Sequence, residues 1–138
     1  MKHFIIIGNF VGCAICGFMM PADAFANNVV PNLVDPKLAM TDYFRIFSKG
    51  VFCGVLMFIA ADYYKQKQKY LGAILAVPVF ILAGFEHSIA DMFYFCSAGV
   101  FTLDALAFIA VVILGNAIGG MLIPFCRKYM YENPPAKA

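Results

Sequence analysis

Apolar residues run through four stretches of this chain, and polar residues collect between them. The first stretch is Phe4 to Met20. A segment rich in Pro, Asn and Asp follows, PADAFANNVVPNLVDPKLAMTD, too polar and broken to lie in lipid. The second runs from Tyr43 to Tyr64, but its strictly apolar part, Gly50 to Ala61, is only about 18 Å of helix at a rise of about 1.5 Å per residue. It crosses a bilayer if Arg45 and Lys49 lie at one interface, where long basic side chains snorkel. DYYKQKQKY is then a short basic loop flanked by tyrosines of the interfacial belt. The third stretch starts at Leu71 and is interrupted at Glu86-His87-Ser88; the fourth is Ala105 to Cys126, followed by a polar, frayed tail. A spanning helix needs about 20 mostly apolar residues. The pattern therefore predicts an all-α polytopic membrane protein with four transmembrane segments, over residues 4–20, 43–64, 71–97 and 105–126. These form one membrane domain over residues 1–130, with a cytoplasmic tail over 131–138.

Composition supports the membrane class: 63% of the 138 residues are hydrophobic and 13% charged, with a mean hydropathy of +0.82. Soluble domains are nearer 45–50% apolar, with about 25% charged. A net charge of +2 is too small to argue for a nucleic-acid partner. The placement of the charges says more. With both termini and the lysine loop on one side, that side holds Lys2, Lys65, Lys67, Lys69, Arg127, Lys128 and Lys137. The other holds Lys37, Arg45 and Lys49. The basic excess makes the first side cytoplasmic and the location the cell inner (plasma) membrane.

The N-terminus also reads as a secretory leader, with a basic start, an apolar run and a small-x-small site at Ala22-Asp23-Ala24. The run of 17 residues is long for a leader core, and Gly8-x-x-x-Gly12 is a spacing that lets helix backbones approach closely, so it is taken as a true helix. Five cysteines, an odd number and all in or beside apolar runs, argue against a disulfide framework. Cys13-x-x-Cys16 has redox or metal spacing but no second pair or histidine beside it, and small packing residues are the plainer reading. No nucleophile–base pair, metal cluster or phosphate loop is recognisable, so neither an enzyme nor a cofactor is expected.

The third stretch carries the chemistry. Leu71 to Phe85 gives about 22 Å of helix, short of a hydrocarbon core of about 30 Å. Glu86 and His87 thus arrive before the helix has crossed. Ser88-x-x-Asp91 then matches a capping box that starts a new helix. The expectation is a half-helix ending near Phe85, a turn at Glu86-His87 and a second half-helix from Ser88, with Pro78 adding a kink. Broken helices at membrane depth are tolerated only where buried in protein or lining a cavity. An ionised group at the bilayer centre costs about 2.5–3.5 kcal/mol or more, and a packing hydrogen bond near 0.6 kcal/mol does not offset three such residues in six positions. A permeation pathway is the reading that does.

The residues GFEHSIADM, Gly84 to Met92, resemble the fifth-helix signature of the formate/nitrite transporter family, pentameric channels for small monovalent anions. IGNFVG (Ile7 to Gly12), KGVFCG (Lys49 to Gly54) and LGNAIGG (Leu114 to Gly120) are similar to its third, fourth and sixth helices. The resemblance implies an aquaporin-like fold, incomplete because the first two of six helices are absent, and with them a threonine facing the central histidine. A truncated product or half of a split gene, inactive alone, is the alternative expectation. The family's asparagines fall on Asp91 and Gly54 here.

The resemblance gives His87 the central pore position and Phe80 a constriction, and it implies a homo-oligomer, with or without a second chain supplying two helices. Formate, nitrite and hydrosulfide are the expected partners besides the lipid bilayer. Apolar surroundings disfavour the charged form of such an acid, and a histidine with an ordinary value near 6.5 is poised to exchange a proton. Glu86 is expected to brace the turn. Asn116 either bonds the broken loop or packs, and Lys49 either draws anions to the outer mouth or sits at an interface. Ser88 and Asp91 cap the second half-helix, unless Asp91 faces His87.

Overall fold

The computed structural model describes residues 2–19 and 30–132, with side chains over 7–19 and 30–131. The leader-like site at Ala22–Ala24 and the last six residues lie outside these. The described residues form helices joined by short turns and contain no strand. Helix α1 is Lys2–Met19; a π-helical turn, Val30–Val34, leads into the short α2, Asp35–Leu38. Helix α3 is Tyr43–Lys67, α4 is Leu71–Leu82, α5 is Ser88–Ser97 and α6 is Leu103–Glu132. Two of these, α3 and α6, are long and apolar enough to cross a membrane; the apolar parts Ile7–Met19 and Leu71–Leu82 are shorter.

Local chemistry sets the boundaries. Asp42 caps α3, its carboxylate accepting the Arg45 N–H at 3.1 Å, and Gln68 closes it in the left-handed region with φ 52°. Helix α4 ends on a Schellman turn. Gly84 takes φ 64°, its N–H donates to Ile81 O at 3.1 Å and the Phe85 N–H to Phe80 O at 2.9 Å. The helix therefore stops at Leu82, three residues before the expected end at Phe85. The fourth stretch departs the other way. Helix α6 runs through Pro124 to Glu132, past the expected end at Cys126. Arg127 pairs with Asp62 at 2.8 Å and lies over the Phe58 ring, tying this turn to α3.

The most extensive contact joins α3 and α6. It is built on glycines. A Cβ at Gly115 would stand 2.6 Å from Phe47 O, and one at Gly54 or Gly119 would strike the facing backbone at Asn116 or Val51. Gly54 thus has no room for a larger side chain. Helix α1 packs on α5 at Gly17, where a Cβ would lie 2.9 Å from Ser97 N. Gly8 and Gly12, expected to mediate close approach, have nothing within 4 Å of such a Cβ among the described residues. The buried core gathers Val34, Ile46, Met92, Phe95, Phe108 and Val112, with Cys13 and Cys96 at its edge. All five cysteines are free; Cys13 is buried and Cys16 exposed.

Candidate functional site

Between α4 and α5, residues 83–87 leave helical geometry. Such a break strips the first N–H groups of the new helix of partners, and other elements supply them. Asn116, on α6, supplies one such partner and braces the loop besides. Its Nδ2 donates to Glu86 O and to Gly50 O, both at 2.9 Å, and its Oδ1 accepts the Ser88 N–H at 3.0 Å. One amide thereby ties the loop, α3 and α6 together, and the glycine-lined crossing is what brings it close enough.

The cap of α5 differs from expectation. His87, in extended geometry, is the N-cap, and its Nδ1 accepts the Ala90 N–H at 3.5 Å. Ser88 is already inside the helix with its N–H held by Asn116, and Asp91 is turned away to an ammonium. The capping box does not form: the Ser88 N–H goes to Asn116 and the Asp91 carboxylate to Lys37. With Nδ1 as acceptor, Nε2 is the nitrogen left to carry the imidazole proton. A second proton would turn the acceptor into a donor facing an N–H group. The Phe80 ring stacks on the imidazole, centroids 5.5 Å apart.

Two acids inside an apolar segment require cations. Glu86 and Asp91 are 3% and 1% exposed. The Lys37 ammonium bridges them, bonded to Glu86 Oε2 and 2.9 Å from Asp91 Oδ1, while Lys49 Nζ lies 3.4 Å from Glu86 Oε1. Asp91 pairs here instead of with His87. Burial pulls the Lys37 ammonium down, but the Asp91 and Glu86 carboxylates outweigh it and hold it above its ordinary value. Lys37 therefore stays charged at any physiological pH. The ammonium also lies over the Phe108 ring, with Nζ 5.6 Å from the centroid.

Lys37 lies in a stretch that reads as a polar loop outside the bilayer, and no motif singles it out. Charge bookkeeping is the signal that finds it, because paired burial of Glu86 and Asp91 demands two cations on the same side, where the sequence offers Lys37, Arg45 and Lys49. Lys49 is partly committed to Glu86 and lines the same cavity.

Two cavities meet at the histidine. One, of about 220 Å³, is lined by the charge cluster, Asn32 and Tyr94; the other, an open apolar cleft of about 650 Å³, by Gly8, Gly12, Cys16, Met57 and Phe93. Phe80, His87 and Ala90 border both. The arrangement places a charged chamber on one side of a ring pair and an apolar cleft on the other. Phe80, Glu86, His87, Asp91 and Lys49 thus come to one place, with Ser88 and Asn116 holding the loop beneath them.

A family model described as formate/nitrite transporter matches residues 2–130. Neither a curated protein nor a solved structure matches.

Proposed function

The chain belongs to the formate/nitrite transporter family, and from that premise we propose that it conducts small monovalent weak-acid anions, formate, nitrite or hydrosulfide, past His87. The observation that carries this reading is the position of His87 at the start of α5, bordering both the charged chamber and the apolar cleft. The family is one of transporters, not enzymes. In this reading four segments cross the inner membrane with both termini cytoplasmic, α4 and α5 together forming the third. Their 12 and 10 residues amount to about 33 Å of helix, enough for the core.

An anion entering from the charged chamber meets Lys37 and Lys49, then the Phe80–His87 pair. Loss of water raises the acid's own pKa at the apolar neck. The neutral imidazole offers an Nε2–H to the anion while Nδ1 keeps its cap. A proton relayed through water from the aqueous side, or given by His87 after it has itself taken up a second proton, lets the acid pass the cleft uncharged.

A second reading is supported by the openness of the cleft: Gly8 and Gly12 face nothing among the described residues. The pathway wall is then completed by another chain, either a further copy in a homo-oligomer, a pentamer by family, or a subunit supplying two helices. The test is uptake of formate, nitrite and hydrosulfide into liposomes holding the purified chain, with an inward proton gradient, for wild type and His87→Ala. Saturable uptake whose pH dependence is lost in His87→Ala is expected. A His87→Ala protein that transports normally at every pH overturns the role of His87. Absent flux from a folded, oligomeric preparation favours the reading in which a partner chain completes the path.

A further inference from the structure

The charge cluster is not symmetric. Glu86 is held by two ammoniums, Lys37 and Lys49, one on each carboxylate oxygen. Asp91 is held through Oδ1 alone, 2.9 Å from Lys37 Nζ; its Oδ2 is buried without a hydrogen-bond partner among the described residues. A buried carboxylate oxygen left unpaired is costly and is rare in native proteins, so Asp91 is the less firmly held of the two acids. Asp91, Glu86, Lys37 and Lys49 all line the 220 Å³ cavity. Two carboxylates against two ammoniums leave the chamber with no net positive charge to offer a free anion.

Resting on the anion-transport reading above, we propose that Asp91 is a tethered competitor for the permeating anion. Its carboxylate occupies the place on the Lys37 ammonium that a small anion must take, and anion entry exchanges with Asp91 while Glu86 stays bound. Asp91 thereby sets a low affinity and fast release at the chamber, and it makes this residue the determinant of charge preference there. An ammonium has three N–H donors, so a small anion and Glu86 can share Lys37 once Asp91 withdraws.

The test compares wild type, Asp91→Asn and Asp91→Glu, each as the full chain. Two readouts are taken: the half-saturating concentration for sodium formate and sodium nitrite uptake into liposomes, and the concentration at which the same salts raise the thermal unfolding midpoint in detergent, against sodium gluconate. Asp91→Asn keeps the shape and removes the charge, so its half-saturating concentration should fall at least about fivefold, the lower end of ordinary coupling between two bound groups. Asp91→Glu retains the charge and should stay near wild type. An unchanged value in Asp91→Asn, with wild type saturable, overturns the proposal and leaves the anion reading standing. Failure of formate and nitrite to act in either readout, in all three proteins, overturns the anion reading and the proposal with it.

Discussion

Replacing Asn116 by alanine removes all three bonds that secure the loop between α4 and α5. Inside a membrane a side-chain hydrogen bond averages about 0.6 kcal/mol, which puts three at about 2 kcal/mol. That average applies where the freed groups find other partners. Here the Ser88 N–H belongs to the first turn of α5 and has no acceptor within its own helix, and Glu86 O lies in a non-helical loop. A buried group left unpaired costs about 1–3 kcal/mol, and the Gly54 contact leaves little freedom for α3 and α6 to close over the gap. The expected loss is therefore about 2–5 kcal/mol in equilibrium unfolding in mixed micelles, with faster proteolysis or hydrogen exchange confined to residues 83–90. A fall below about 1 kcal/mol for Asn116→Ala, with unchanged exchange in the loop, would refute the view that this amide holds the break open.

Gly54→Ala should separate α3 from α6, because its Cβ meets backbone rather than a movable side chain. Overpacking costs about 1–3 kcal/mol, visible as a lower unfolding midpoint, whereas Gly8→Ala should leave the midpoint unchanged or raised. Lys37→Met leaves Glu86 and Asp91 buried with one ammonium fewer, and removing one partner of a buried pair costs about 3–5 kcal/mol. The double variant Lys37→Met/Asp91→Asn should regain much of that in the same unfolding assay. Equal losses in the single and double variants would show that the Lys37–Asp91 pair contributes nothing.

The apolar runs announced α3 and α6 because a helix that meets lipid must satisfy its backbone internally and show little polarity on any face. Gly84 and Gly99 likewise mark helix ends by residue type, since each sits in a left-handed turn with φ 64° and 67°. The interruption at Glu86-His87 was legible for a related reason, as acids do not enter an apolar helix without a cause.

What the sequence could not decide is who pairs with whom. Ser88 and Asp91 have capping-box spacing, yet His87 caps α5, because Asn116 and Lys37 arrive from residues 28 and 54 positions away in the chain. Gly8 and Gly12 have the spacing of a close helix contact and make none among the described residues, while Gly17 does. Sequence by itself determined which segments are apolar and where their chemistry is exceptional, since both are properties of local residue type. The charge cluster, the histidine cap and the glycine crossing were decided only by tertiary structure, because electrostatic and hydrogen-bond partners are chosen by proximity in space. A buried acid takes the nearest ammonium the fold delivers.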